Sequence, residues 1–291
     1  MRAICIGECM VELAPAGEGL LRQGFAGDTF NTAWYLKRQR PDWAVDYLSA
    51  VGTDAISEAM LAFMQGAGIG TAHVARRADR TVGLYLISLQ NGERSFSYWR
   101  GQSAARTLAE DAGALEQGLM GAGLAVFSGI TLAILLPEGR ARLLAALKGF
   151  AGVVAFDPNM RARLWGGAEE MKAAVMAAAG VADVVLPSLD EEEAVFGDST
   201  AEAVIARYRA GGAATVVVKN GAGRVLAWDR AEGAVFCDPA PVVPVDTTAA
   251  GDSFNAGFLA ARLSGAGLGA ALEAGAALAG RVVQHRGALV G

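Results

Sequence analysis

The chain has 291 residues, 53% of them hydrophobic and 19% charged, which suits a substantial buried core and excludes a disordered chain. Its net charge is −5, from 25 Lys plus Arg against 30 Asp plus Glu, and no basic run stands out, so no nucleic acid partner is expected. Gly, Pro or charge breaks every apolar stretch well short of the roughly 20 residues a membrane span needs, so no membrane partner is expected either. The start, MRAICIGECMVEL, reads as a strand carrying Glu8 and Glu12, not as a signal peptide. Cys5, Cys9 and Cys237 show no metal spacing, and with only His73 and His285 beside them no zinc site is expected. They read as small thiols in or near the core, in a reducing, cytoplasmic compartment.

In chain order, residues 3–7 form a short apolar strand, and helical spacing over 28–38 packs Phe30, Trp34 and Leu36. A strand at 47–51 leads to Thr53 or Asp54 as the cap of a helix through Met60, Leu61 and Met64 that stops near Gly66. Segments 81–90 and 94–100 then alternate with period 2 around Asn91-Gly92, a strong hairpin signal with no helix between. This predicts an antiparallel flap apart from the main sheet. On its second strand Phe96, Tyr98 and Arg100 share a face, and on its first Tyr85 shares one with Gly83, Ile87 and Leu89. The flap reads either as a lid over a polar, anionic ligand or as a solvated edge with a surface arginine. Buried-type strands at 124–127, 153–156, 184–186 and 215–218 alternate with helices at 137–147, 168–179 and 200–208. That rhythm predicts an α/β fold with a parallel sheet covered on both faces, its ligands beyond the carboxyl ends of the strands.

Three clusters follow such strands. Asp157, Asn159 and Arg161 bring a carboxylate, an amide and a guanidinium, with Arg161 able to hold an anion through paired donors or simply to brace the loop. Ser188 to Glu193 begins an acidic helical turn that the helix dipole favours by itself, and in which Glu191 can orient hydrated magnesium. Lys219 to Arg224 is either an ordinary hairpin turn or a glycine loop that admits a nucleotide. The most informative run is VDTTAAGDSFNAGF, residues 245–258. Here an apolar strand through Val242, Val243 and Val245 is expected to hand over to a helix at Ala249, Ala250, Gly251 and Asp252. The first amides of a helix lack partners and attract anions, and a carboxylate beside them suits a base in phosphoryl transfer. The plain alternative is an N-cap aspartate. No GxxxxGK[ST] and no protein-kinase signature occurs.

These residues resemble the ribokinase-like carbohydrate kinases over nearly the whole chain. The resemblance is carried by IGECMVEL (6–13), AGDTFNTA (26–33), GERSFSYWR (92–100), FSGITLAIL (127–135), FDPNMRARLW (156–165), VVKNGAGR (217–224) and DTTAAGDSFNAGF (246–258). The flap and the DPNxR run are similar to the branch acting on 2-keto-3-deoxygluconate. The resemblance implies a doubly wound, mostly parallel core from 1–8, 27–71 and 102–291, with a β lid from 9–26 and 72–101 that often mediates homo-oligomers. It implies ATP and Mg2+ and leaves a monovalent cation open. Asp252 would deprotonate the sugar hydroxyl, with the amides of Ala249, Ala250, Gly251 and Asp252 as the anion hole. Gly27, Asp28 and Asn31 would line the sugar site under Tyr85, Tyr98 and Arg100, with Arg161 near sugar and phosphate. Asn159, Arg161, Ser188, Lys219, Asn220, Gly221, Gly223 and Gly251 would border the nucleotide, and Glu191 would serve metal-bound water. Three positions depart from many relatives: Ala26 stands before Gly27 where two glycines are common, Ser188 where asparagine is, and AAGD where GAGD is. The implied reaction is ATP-dependent phosphorylation of the sugar acid at its terminal hydroxyl. The rivals are a neutral-sugar kinase of the fructokinase or ribokinase type and a non-catalytic sensor on the same scaffold.

Overall fold

The structure is a computed structural model that describes residues 1–90 and 93–291; the expected Asn91-Gly92 turn lies outside the described residues. In the first strand, β1 (Arg2–Ile6), alternate side chains serve opposite faces. Ala3 and Cys5 pack into one apolar cluster, Ile4 and Ile6 into another. Such two-sided burial needs helices on both faces of the sheet. The chain then leaves the core as a hairpin, β2 (Met10–Gly17) and β3 (Leu20–Ala26), and returns through α1 (Asp28–Gln39), β4 (Ala44–Gly52), α2 (Ala55–Gly66) and β5 (Ile69–Arg77). Asp54, not Thr53, caps α2, its carboxylate accepting the Ser57 amide at 3.0 Å. A second excursion, β6 (Leu84–Gln90) and β7 (Glu93–Trp99), follows.

Helices and strands then alternate: α3 (Ala112–Leu119), β8 (Leu124–Ser128), α4 (Gly129–Ile134), α5 (Pro137–Lys148), β9 (Val153–Asp157), α6 (Ala168–Ala179), β10 (Val184–Val185), α7 (Leu189–Phe196), α8 (Ala201–Ala210) and β11 (Thr215–Val218). Strands β12 (Val225–Asp229) and β13 (Gly233–Cys237) and helices α9 (Ala250–Arg262) and α10 (Leu268–Val282) complete the chain. The large sheet has nine strands in the order β13-β12-β11-β10-β9-β8-β1-β4-β5, parallel except for β12, which pairs antiparallel with both β11 and β13. One face is packed by Phe30, Met60, Phe258 and Leu272 from α1, α2, α9 and α10. The other takes Leu115, Leu143, Val175 and Tyr208 from α3, α5, α6 and α8.

A second sheet of four strands, β3-β2-β6-β7, joins the two excursions, with β2 and β6 parallel and the rest antiparallel. Two expectations need correction. The lid boundary at residue 72 falls inside β5, which pairs with β4 in the large sheet; the second part of the small sheet begins at Leu84. Val242, Val243 and Val245 form no strand, and Val243 and Val245 are 83% and 56% exposed. Pro239 and Pro241 precede them and Pro244 lies between Val243 and Val245, and proline has no N–H for a sheet ladder.

Candidate active site

The carboxyl ends of the parallel strands open on a cleft of about 440 Å³, where ligands bind in sheets of this kind. After β9 come Asp157, Asn159 and Arg161, after β10 Ser188 and Glu191, and after β11 Lys219. The start of α1 adds Gly27, Asp28 and Asn31, the start of α9 adds Ala249, Ala250, Gly251 and Asp252, and the small-sheet segment adds Tyr85, Tyr98 and Arg100. Asn220, Gly221 and Gly223 stay outside. They form the exposed turn of an antiparallel hairpin between β11 and β12, with Gly221 at φ 53°.

At the head of α9, Ala249 is left-handed, with φ 60° and ψ 16°, a conformation that costs a residue with a β-carbon. This kink turns the chain into the helix. The Ala250 amide donates to Thr247 O at 3.2 Å and the Ser253 amide to Ala249 O at 2.9 Å. Between them the Gly251 and Asp252 amides have no acceptor among the described residues. Lys219 Nζ stands beside these donors, 3.4 Å from where a β-carbon on Gly251 would lie. It donates to Asp157 Oδ2 at 2.8 Å and to Asn255 Oδ1 at 3.2 Å, and Asn255 Nδ2 donates to the same Asp157 oxygen at 2.6 Å. An unfilled pair of amides beside an ammonium suits a phosphoryl group.

Asn31 Nδ2 donates to Asp252 Oδ2 at 2.8 Å. Burial pushes the Asp252 carboxyl up to about 8, and the charges of Asp28 and Asp157 add to the push against Asn31 and Lys219. Asp28 is itself held by Asn159 Nδ2 at 2.7 Å and by the Thr29 amide at 2.8 Å. Asn159 adopts φ 33°, a backbone region asparagine tolerates better than most residues.

In the small sheet Tyr85 lies directly opposite Tyr98, and their rings stack at 5.8 Å. The Tyr85 hydroxyl donates to Glu12. Arg100 and Glu8 form an ion pair in which both residues are buried. Arg161 is paired with Glu191, whose other oxygen accepts the Met160 amide at 2.9 Å. Burial pushes the Glu191 carboxyl up against the pull of Arg161, and Asp157 adds to the push. Both arginines expected to meet an anionic ligand therefore already carry an internal counter-ion.

Glu8 and Glu12 carry a signal in the sequence, since two acids inside the apolar run 3–13 require partners, but nothing local names those partners. Asn255 is a further site residue that was not expected, three residues after Asp252 on the same helix face. Arg163, which lines the cleft, gave no signal beyond its place in FDPNMRARLW. Among the described residues no group of three or more metal-ligating side chains exists.

Residues 2–290 match the pfkB family carbohydrate kinases. The 2-dehydro-3-deoxygluconokinase of Escherichia coli K12 is 41% identical over 297 residues, covering 98% of this chain and 96% of that protein. Among solved structures, the PfkB protein from Polaromonas sp. JS666 superposes with a TM-score of 0.87 at 30% identity, covering 98% of this chain and 96% of the other. The fructokinase with bound ATP from Xylella fastidiosa shares the fold, with a TM-score of 0.82 at 23% identity over 99% and 94% of the two chains. With the doubly wound core, the small sheet and the open helix end already described, these matches establish that the chain belongs to the pfkB family of carbohydrate kinases.

Proposed function

We propose that this kinase transfers the γ-phosphoryl group of ATP to the terminal hydroxyl of 2-keto-3-deoxygluconate, with Asp252 as the base. The observation that carries the reading is the Asp252 carboxyl set beside the open Gly251 and Asp252 amides in one cleft with the Tyr85–Tyr98 stack. Asn31 occupies Asp252 Oδ2, leaving Oδ1 to take the hydroxyl proton as the oxygen attacks phosphorus. The amides and Lys219 meet the charge that develops on the transferring group, and the products are ADP and the phosphate ester, with the proton on Asp252. A carboxyl raised to about 8 is a stronger base than an ordinary aspartate once ionised.

Asp157 and Glu191 face the cleft but are engaged by Lys219 and Arg161. That donor set does not fit an all-protein cage but fits hydrated magnesium, for which Asp157 and Glu191 would receive the bound water. When bound, the ion neutralises phosphate charge. The similarity to the Escherichia coli enzyme supports the sugar acid as substrate, and the exposure of Leu20, Leu21 and Trp99 on the small sheet supports association of two copies there.

A coupled assay with ATP, Mg2+, keto-deoxy acids and neutral sugars tests the substrate. Preferred turnover of fructose or ribose would replace it with a neutral-sugar kinase, and no turnover at all would favour a sensor. Asp252→Asn is expected to lower kcat by about 10³-fold or more while sugar and ATP affinities stay within a few fold. Near-normal turnover would remove the base.

A further inference from the structure

Three buried polar side chains meet under the head of α9: Lys219, Asp157 and Asn255, of which Asn255 is only 1% exposed. They close a ring in which each pair is bonded. The Lys219 ammonium donates to Asp157 Oδ2 and to Asn255 Oδ1, and Asn255 Nδ2 donates to the same carboxylate oxygen. A single orientation of the amide allows this, since the flipped one would set NH2 against the ammonium and oxygen against the carboxylate. Two of the three ammonium N–H groups are thereby used, and the third has no acceptor among the described residues. The ammonium stands beside Gly251, whose own amide is open. Asn255 does not line the cleft, whereas Lys219 and Asp157 do.

We propose that Asn255 is a positioning residue for phosphoryl transfer: it holds the Lys219 ammonium so that its free N–H meets the transferring group together with the Gly251 and Asp252 amides. This rests on the function proposed above. Lysine ends in a point charge on a flexible four-carbon stem, so one ion pair fixes its distance from Asp157 but not the direction of its remaining donors. A second acceptor removes that freedom, and the amide supplies it without adding a negative charge beside Asp157. Asn255 also lies three residues after Asp252. One helix therefore carries the proposed base, the open amides and the group that orients the ammonium, and its regular spacing keeps the three in register.

The test is a double-mutant cycle on the full chain. Asn255→Ala and the near-isosteric Asn255→Leu are each made in wild type and in Lys219→Met, and all are checked by thermal melting. Steady-state constants are measured with ATP and whichever sugar the wild type turns over best. In the wild-type background either change is expected to lower kcat about 30-fold, with KM for the sugar within about threefold. In Lys219→Met the same change should lower kcat by less than about threefold, because the group it acts through is already gone. An equal fold loss in both backgrounds, or a fall in melting temperature with kcat intact, overturns the assignment and leaves the proposed function standing. Should Asn255→Ala fail to fold, the Asn255→Leu cycle decides. A kcat that Lys219→Met leaves unchanged removes the ammonium's part, and this assignment with it, while the Asp252 base survives. Absence of ADP formation with every sugar removes the function itself.

Discussion

The helix-end wall of the cleft and the small-sheet wall carry their charges in opposite ways. At the helix end, Asp28, Asp157 and Asp252 are held by asparagine side chains and a single ammonium, that of Lys219. Acids outnumber cations, and the carboxyl of Asp252 rises to about 8 as a result of burial and of its neighbours. In the small-sheet wall Arg100 and Tyr85 each have an acid behind them, Glu8 and Glu12, and Tyr98 stacks on Tyr85. One wall is left electrically unfinished and reactive; the other is closed off and firm. On the proposed function, a ligand's phosphate would complete the first, whereas the second has only to hold its shape.

Breaking the helix-end wall should have the largest effect. Lys219→Met removes the ammonium beside the open amides, and kcat should fall by roughly 10³-fold in steady-state assays on protein shown to be folded by circular dichroism. A loss below about tenfold would mean that the helix amides act without it. On the other wall, Glu8→Gln leaves the Arg100 guanidinium buried without a counter-ion. Urea unfolding should show a loss of about 3 kcal/mol, and a cost near zero would mean that the pair braces nothing.

The pH dependence sharpens the same contrast. With Asp252 as the proposed base, kcat/KM for the free enzyme should climb roughly 50-fold from pH 6 to pH 8 and flatten above. The sign for stability is the reverse. Because the folded carboxyl titrates far above its unfolded value, its contribution is fullest below about pH 4 and is lost progressively as pH rises towards 8. Asp252→Asn should therefore raise the melting temperature more at pH 8 than at pH 5. The smallest effect expected is from Ala249→Gly, which relieves the left-handed backbone and should stabilise by about 1 kcal/mol, roughly 2 °C in melting temperature.

Where side chains serve one local element, the sequence was legible. The two-sided apolar runs 124–127, 153–156 and 215–218 became β8, β9 and β11, and helix spacing over 168–179 gave α6. Small residues before Asp252 announced the start of α9. What escaped depends on distant partners. Nothing near Arg100 points to Glu8, because the two meet only when separate excursions of the chain share a sheet. The valines at 242–245 misled because apolar content outweighed the prolines before and among them, Pro239, Pro241 and Pro244, and β5 continued past the expected boundary because its register with β4 runs to Arg77.

The small sheet is assembled from two pieces of chain, with Val11 paired to Leu84 across a parallel seam. Synthesis at roughly 5–20 residues per second means that β2 and β3 leave the ribosome seconds before β6 exists. Through that interval β2 presents an unpaired strand edge, the kind of surface that recruits neighbouring nascent chains.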